Sequence, residues 1–150
     1  MVEGSALTAF IRTAAIGDAA EIARLSAQLG YPAAVGDIES RLRKLLASPS
    51  HAVLVAANAD GRLDGFVAVE HRLIIEYGER GELAALVVDA QARRGGVGRA
   101  LVGAAERWAA ERGLSEIAVR SNALRPESHP FYESIGYART KTQHVYRKPL

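Results

Sequence analysis

Cysteine is absent from the 150-residue chain. No disulfide framework, thiolate metal site or cysteine nucleophile is therefore available. Long hydrophobic runs are missing too. Nothing approaches the length of a membrane-spanning helix, and no basic-then-apolar leader opens the sequence. The expectation is a cytoplasmic protein with no membrane partner. Charge of one sign is also lacking: 19 Lys and Arg face 17 Asp and Glu, a net of +2, and the two signs are interspersed. A broad nucleic-acid footprint is not expected. His51, His71, His129 and His144 are scattered without metal-ligand spacing, so no metal is expected. Ser121 and Ser128 lack a nucleophile-elbow context. No repeat, linker or low-complexity tract divides the chain. Residues 1–150 are read as one domain, large enough to bury a core.

What is present is a run of well-punctuated elements. Residues 9–13 read as a short strand. Asp18 reads as the N-cap of a helix carrying Ile22, Leu25 and Leu29, closed by Gly30 and Pro32. Asp37 reads as the cap of a second helix with Ile38, Leu42, Leu45 and Leu46, ended by Ser48-Pro49. Residues 52–57 and 63–71 form a hairpin around the turn 58–62. Residues 72–81 fit either a strand extension or a loop. An apolar strand at 83–88, a helix at 97–112 stopped by Gly113, and a strand at 115–121 make a βαβ unit. Residues 137–147 alternate enough for two short strands.

The segment from Leu83 to Leu101 is the most informative. It places a buried strand, a basic loop with Arg93 and Arg94, the glycines Gly95, Gly96 and Gly98, and then a helix in direct succession. Glycine helps at a helix entry where the backbone must bend sharply or be approached closely. The first amides of a helix lack intrahelical partners and carry positive partial charge, which suits phosphate oxygens. Arg93, Arg94 and Arg99 add fixed positive charge. A Walker-type loop needs Lys and then Ser or Thr after the last glycine, whereas Arg99 and Ala100 stand there. A dinucleotide fingerprint needs Gly or Ala where Leu101 stands.

Arg93-Arg94-Gly95-Gly96-Val97-Gly98 resembles the [Q/R]-x-x-G-x-G/A signature of the GCN5-related N-acetyltransferases. Residues 128–137, Ser-His-Pro-Phe-Tyr-Glu-Ser-Ile-Gly-Tyr, together with Asn122, resemble that family's second block. The resemblance covers roughly residues 8–149 and is sharpest over 82–137. It implies an α/β fold with a mixed, mostly antiparallel central sheet flanked by helices, and a central βαβ unit for the cofactor. It implies acetyl-CoA as cosubstrate, with the pyrophosphate held by Arg93, Arg94, Gly95, Gly96, Val97, Gly98 and Arg99. The pantetheine arm would lie against the backbone of Leu86, Val87 and Val88, Asn122 would bond its amides, and Tyr132 would also contact the cofactor. It further implies transfer to a primary amine on a small molecule or a protein. Dimerisation is common among such domains, although no interface is legible here.

The chemistry needs a base for the amine and an acid for the departing thiolate. Glu82 precedes the apolar strand, where burial makes a carboxylate more basic. It lies eleven positions before Arg93, the spacing of the general-base glutamate in the histone-acetylating branch of the family. A solvated strand-end glutamate is the alternative, and Glu76 is the second candidate base. Tyr132, in the position of the family's FY pair, is the candidate acid, since a phenol can give a proton to a sulfur anion at neutral pH. The absence of cysteine favours direct transfer in a ternary complex over an acyl-enzyme. The rival reading is a non-catalytic acyl-CoA-binding or sensing module, which would keep the loop but need neither Glu82 nor Tyr132. The acceptor is not legible: residues 29–46 and 72–81, which would shape its site, carry mixed charge.

Overall fold

The computed structural model describes residues 10–93, 95–120 and 128–150. They form two compact units, one ending at Val119 and one beginning at Arg120. In the first, β1 (Phe10–Thr13), α1 (Ala19–Gln28), α2 (Val35–Ala47), β2 (His51–Ala57), β3 (Leu63–Ile74), β4 (Gly78–Val88), α3 (Val97–Glu111) and β5 (Ile117–Val119) follow one another. The sheet order is β1-β2-β3-β4-β5. All neighbours are antiparallel except β4 and β5, which are parallel and joined by the α3 crossover. This is the expected mixed sheet with its βαβ unit.

Alternation of side chains assigns the two faces. Val53, Val55, Phe66 and Val87 pack with Ile22 and Leu25 of α1 and Leu42 of α2. The other face meets α3: a Cβ on Gly81 would lie 3.2 Å from the Ala109 Cβ and 3.4 Å from Ile117. Hydrogen replaces a side chain there so that the helix and β5 can approach β4. Leu101, Val102 and Ala105 are buried on α3 at the spacing of one helix face.

Two local irregularities shape β3 and β4. Ala68 pairs with Ala85 and Val69 with Leu83, leaving Ala84 as an extra, exposed residue on β4. Such a bulge bends its strand and resets side-chain parity. Glu82 therefore faces the same side as Ala85 and Val87. The segment 72–81 is both strand and turn: β3 runs to Ile74, residues 75–77 turn, and Gly78 at φ 85° opens β4. A left-handed glycine after a three-residue turn is a common hairpin closure.

Three expectations are corrected. Asp18 stands at the N-cap of α1 as expected, but its side chain does not bond the helix amides. It accepts from both Arg12 Nη1 and Nη2 at 2.8 and 2.9 Å and from the Ala15 amide at 2.8 Å. A bidentate guanidinium outcompetes the helix amide for those oxygens. The second helix starts at Val35 with Ala34 as N-cap, and Asp37 lies in its first turn, where it complements the helix dipole. Residues 138–150 form no strand and are exposed. The alternation there offers mainly Val145 and Tyr146 as large apolar groups, both exposed, too small a set to bury one face of a strand.

The second unit holds α4 (Ser128–Ser134). Gly136, at φ 99°, ends it, with the Tyr137 amide donating to the Tyr132 carbonyl at 3.0 Å. A left-handed glycine closes a helix in this way. Among the described residues no helix is long and apolar enough to cross a membrane.

Candidate active site

Gly96 is the N-cap of α3 and sits at φ 83°, ψ 6°. Any side chain is strained at such a φ. A Cβ built on Gly96 would meet nothing within 4 Å, so the backbone there borders open space. The Ala100 amide donates to the Gly96 carbonyl at 3.0 Å. The amides of the preceding helical residues, including Val97 and Gly98, have no such partner within the helix. Gly95, Arg93 and Arg99 are exposed around this entry. The donor set, an unfilled space before a helix N-terminus flanked by two guanidiniums, fits a pyrophosphate. Arg94 and Asn122 lie outside the described residues.

Upstream, β4 offers a backbone edge. Its β3 side is paired along the strand, whereas β5 reaches only to Leu83, opposite Val119, among the described residues. Beyond the Ala84 bulge, the edge at Leu86, Val87 and Val88 leads into the loop. Amides and carbonyls on such an edge can bond an extended ligand as a further strand would.

Glu82 lies near the middle of β4, six residues before Val88 and so about 20 Å from it along the strand. Its side chain is 8% exposed and is held by cations. Arg72 Nη1 donates to Oε1 and Oε2 at 3.3 and 3.4 Å, and Arg80 Nη2 stands 3.5 Å from Oε1. Arg72 Nε also lies 3.3 Å from Glu70 Oε1. Arg80 stacks over Tyr77 at 4.8 Å, and its Nε is buried with no hydrogen-bond partner among the described residues. Sequence reasoning placed Glu82 at the sheet but missed both arginines. Their pairing depends on the β3–β4 register, in which Arg72 opposes Arg80 and Glu70 opposes Glu82. Glu76 sits exposed in the hairpin turn.

Tyr132, in the second unit, is half-buried beside Phe131 and Tyr137, with ring centroids 5.3 and 6.0 Å away. Burial pushes its hydroxyl above the ordinary tyrosine value. The phenol thus stays protonated at neutral pH, as a proton donor must.

One cleft of about 230 Å³ is lined by Asn58, Asp60, Arg62, Asp64, Asp89 and Gln91, among others. Three carboxylates repel phosphate, so this cleft is not the anion cradle, although it adjoins the loop. Among the described residues no cluster of three or more His, Asp or Glu could hold a metal ion.

Among the described residues β4 is bulged and open along part of one edge and leads into a glycine-entered helix, an arrangement that fits an extended phosphorylated cosubstrate. Residues 19–137 match the model of the acetyltransferase (GNAT) family, and the chain belongs to that family. It is 33% identical to an aminoglycoside N(6')-acetyltransferase type 1 of Stenotrophomonas maltophilia, over 93% of each chain. A second protein of that description, from Klebsiella aerogenes, is 37% identical over 66% of this chain and 67% of its own. Among solved structures, the aminoglycoside N-acetyltransferase AAC(6')-Iy in complex with CoA superposes with a TM-score of 0.84 at 23% identity, covering 95% of each chain. The protein is an acetyl-CoA-dependent N-acetyltransferase.

Proposed function

We propose that the protein acetylates a primary amine of a small molecule by direct transfer in a ternary complex, with an aminoglycoside 6'-amine as the first acceptor to test. The observation that carries this reading is the 33% identity, over 93% of both chains, to an aminoglycoside N(6')-acetyltransferase. In this reading the α3 entry, with Arg93, Arg94, Gly95, Gly96, Val97, Gly98 and Arg99, binds the pyrophosphate. The β4 edge at Leu86, Val87 and Val88, together with Asn122, orients the pantetheine arm. Acetyl-CoA supplies a thioester carbonyl for the amine to attack. Glu82 accepts the amine's proton, and Tyr132 gives a proton to the departing sulfur. In this reading the phosphate cradle and the carboxylate are set apart along one strand, as the two ends of a long cosubstrate require.

A second reading of the acceptor has its own support. Among the described residues around Glu82, two carboxylates are matched by two guanidiniums, and Arg80 Nε lacks a partner. That balance suits an amine that also bears a carboxylate better than a polycation. Thiol release from acetyl-CoA, measured with aminoglycosides, polyamines and amino acids, decides between them. Turnover confined to aminoglycosides supports the first reading, and turnover confined to amino acids supports the second. No thiol release with any amine would remove both.

A further inference from the structure

Two polar residues of α1, Arg24 and Gln28, grip the root of the phosphate loop, Glu21 braces Arg24 beside them, and no reading of the motif accounts for them. Glu21, Arg24 and Gln28 stand at i, i+3 and i+7, on one helix face. Arg24 donates through Nε and Nη2 to both Glu21 oxygens at 3.0 and 2.9 Å, and through Nη2 to the Leu63 carbonyl at 3.0 Å. Its remaining arm, Nη1, donates to Asp89 Oδ2 at 2.9 Å. Glu21 Oε1 also accepts from the Leu63 amide at 3.0 Å, and Gln28 Oε1 accepts from the Ala90 amide at 2.9 Å.

Asp89 is the first residue after β4 and starts the turn into Arg93. Its amide donates to the Asp64 carbonyl at 2.7 Å, and its carbonyl accepts from the Ala92 amide at 2.9 Å. Its other carboxylate oxygen accepts from the Gln91 amide at 3.0 Å. The direction in which the chain leaves β4 is thus set by one carboxylate, and that carboxylate is fixed from α1. A guanidinium with its donors spread over three partners is a rigid fork, and lysine could not reproduce it.

We infer that Arg24 is a positioning residue for acetyl-CoA: through Asp89, and helped by Gln28, it aims the loop at the pyrophosphate. Arg24 acts through Asp89 and is not one of the residues assigned to the cradle. The inference rests on the reading of residues 93–99 as the phosphate cradle. Misplacing such a cradle weakens only those ligands that carry the pyrophosphate.

The test compares acetyl-CoA with S-acetylpantetheine, which has the thioester and arm but no pyrophosphate. Affinities are measured on wild type, Arg24→Met and Gln28→Leu, by calorimetry for the first ligand and ligand-observed NMR for the second. Arg24→Met is expected to weaken acetyl-CoA on the order of tenfold, and Gln28→Leu by a smaller factor. Neither should change S-acetylpantetheine binding, and amide exchange at Ala90, Gln91 and Ala92 should quicken. Gln28→Leu retains the ion pairs and keeps the test alive if Arg24→Met does not fold. Equal weakening of both ligands would reduce Arg24 to a purely structural role, and unchanged acetyl-CoA affinity in the folded variants would also overturn the inference. A wild type that binds both ligands equally would instead overturn the cradle reading, and this inference with it.

Discussion

In the proposed reading the two halves of β4 do different work with different materials. At its C-terminal end the proposed working groups are main-chain atoms: an edge unpaired among the described residues, a left-handed glycine and the first amides of α3. In its N-terminal half they are side chains, with Glu82 held between Arg72 and Arg80. Backbone sites depend on where glycines and helix starts fall, so they tolerate change in most side chains but not in Gly96. Side-chain sites depend on register and on charge partners from a neighbouring strand. In the proposed reading the C-terminal half holds the same cosubstrate, while the N-terminal half can be retuned for different amines.

That contrast can be broken from several directions. The largest effect belongs to the proton donor. Tyr132→Phe retains the ring but should lower turnover on the order of a hundredfold, with acetyl-CoA affinity unchanged in titration. Wild-type turnover would remove Tyr132 as the acid. Glu82→Gln should lower kcat on the order of tenfold or more and flatten the acidic limb of the pH–rate profile. Activity should recover at high pH, where the amine is neutral by itself. An unchanged acidic limb would return the base to Glu76 or to water. At the other end, Arg93→Ala should weaken acetyl-CoA by several-fold at low salt and less at high salt, because exposed charges are screened. A loss independent of salt would point to disturbed folding.

The smallest effect is on acid stability. The Asp18 carboxyl is held below its ordinary value by Arg12, Glu21 by Arg24, and Asp89 chiefly by the Gln91 amide and then by Arg24. Groups depressed on folding contribute stability above the unfolded carboxylate range and lose it as pH falls through their folded values. Tm should therefore hold down to about pH 4 and drop below it. In Arg24→Met the drop should be shallower, since two of the three carboxylates lose their guanidinium. An identical acid slope in that variant would show that these pairs do not govern it.

The same contrast explains what the sequence disclosed. The apolar run at 83–88, the glycines and the buried α3 positions are local signals, and the βαβ unit followed from them. The Ala84 bulge is not local: only pairing with β3 shows that Glu82 and Val87 share a face. The arginines around Glu82 were legible as charges but not as partners, because the course of 72–81 was open. Asp18 and Asp37 look like caps by residue type, yet Arg12 claims the first and α2 begins ahead of the second. The α1 stripe of Glu21, Arg24 and Gln28 went unread, because its partners lie at Leu63 and at residues 89–90, distant in sequence. The strands expected at 137–147 rested on alternation without enough apolar residues to fill a face.

One paired measurement tests the division of labour most directly: acetyl-CoA affinity by calorimetry, with kcat, in Gly96→Val and in Glu82→Gln. A side chain at Gly96 is strained at φ 83° and fills the space before the helix amides. Gly96→Val should lose acetyl-CoA binding on the order of tenfold or more, whereas Glu82→Gln should bind as wild type while turning over slowly. A folded Gly96→Val protein that binds acetyl-CoA normally would contradict the account.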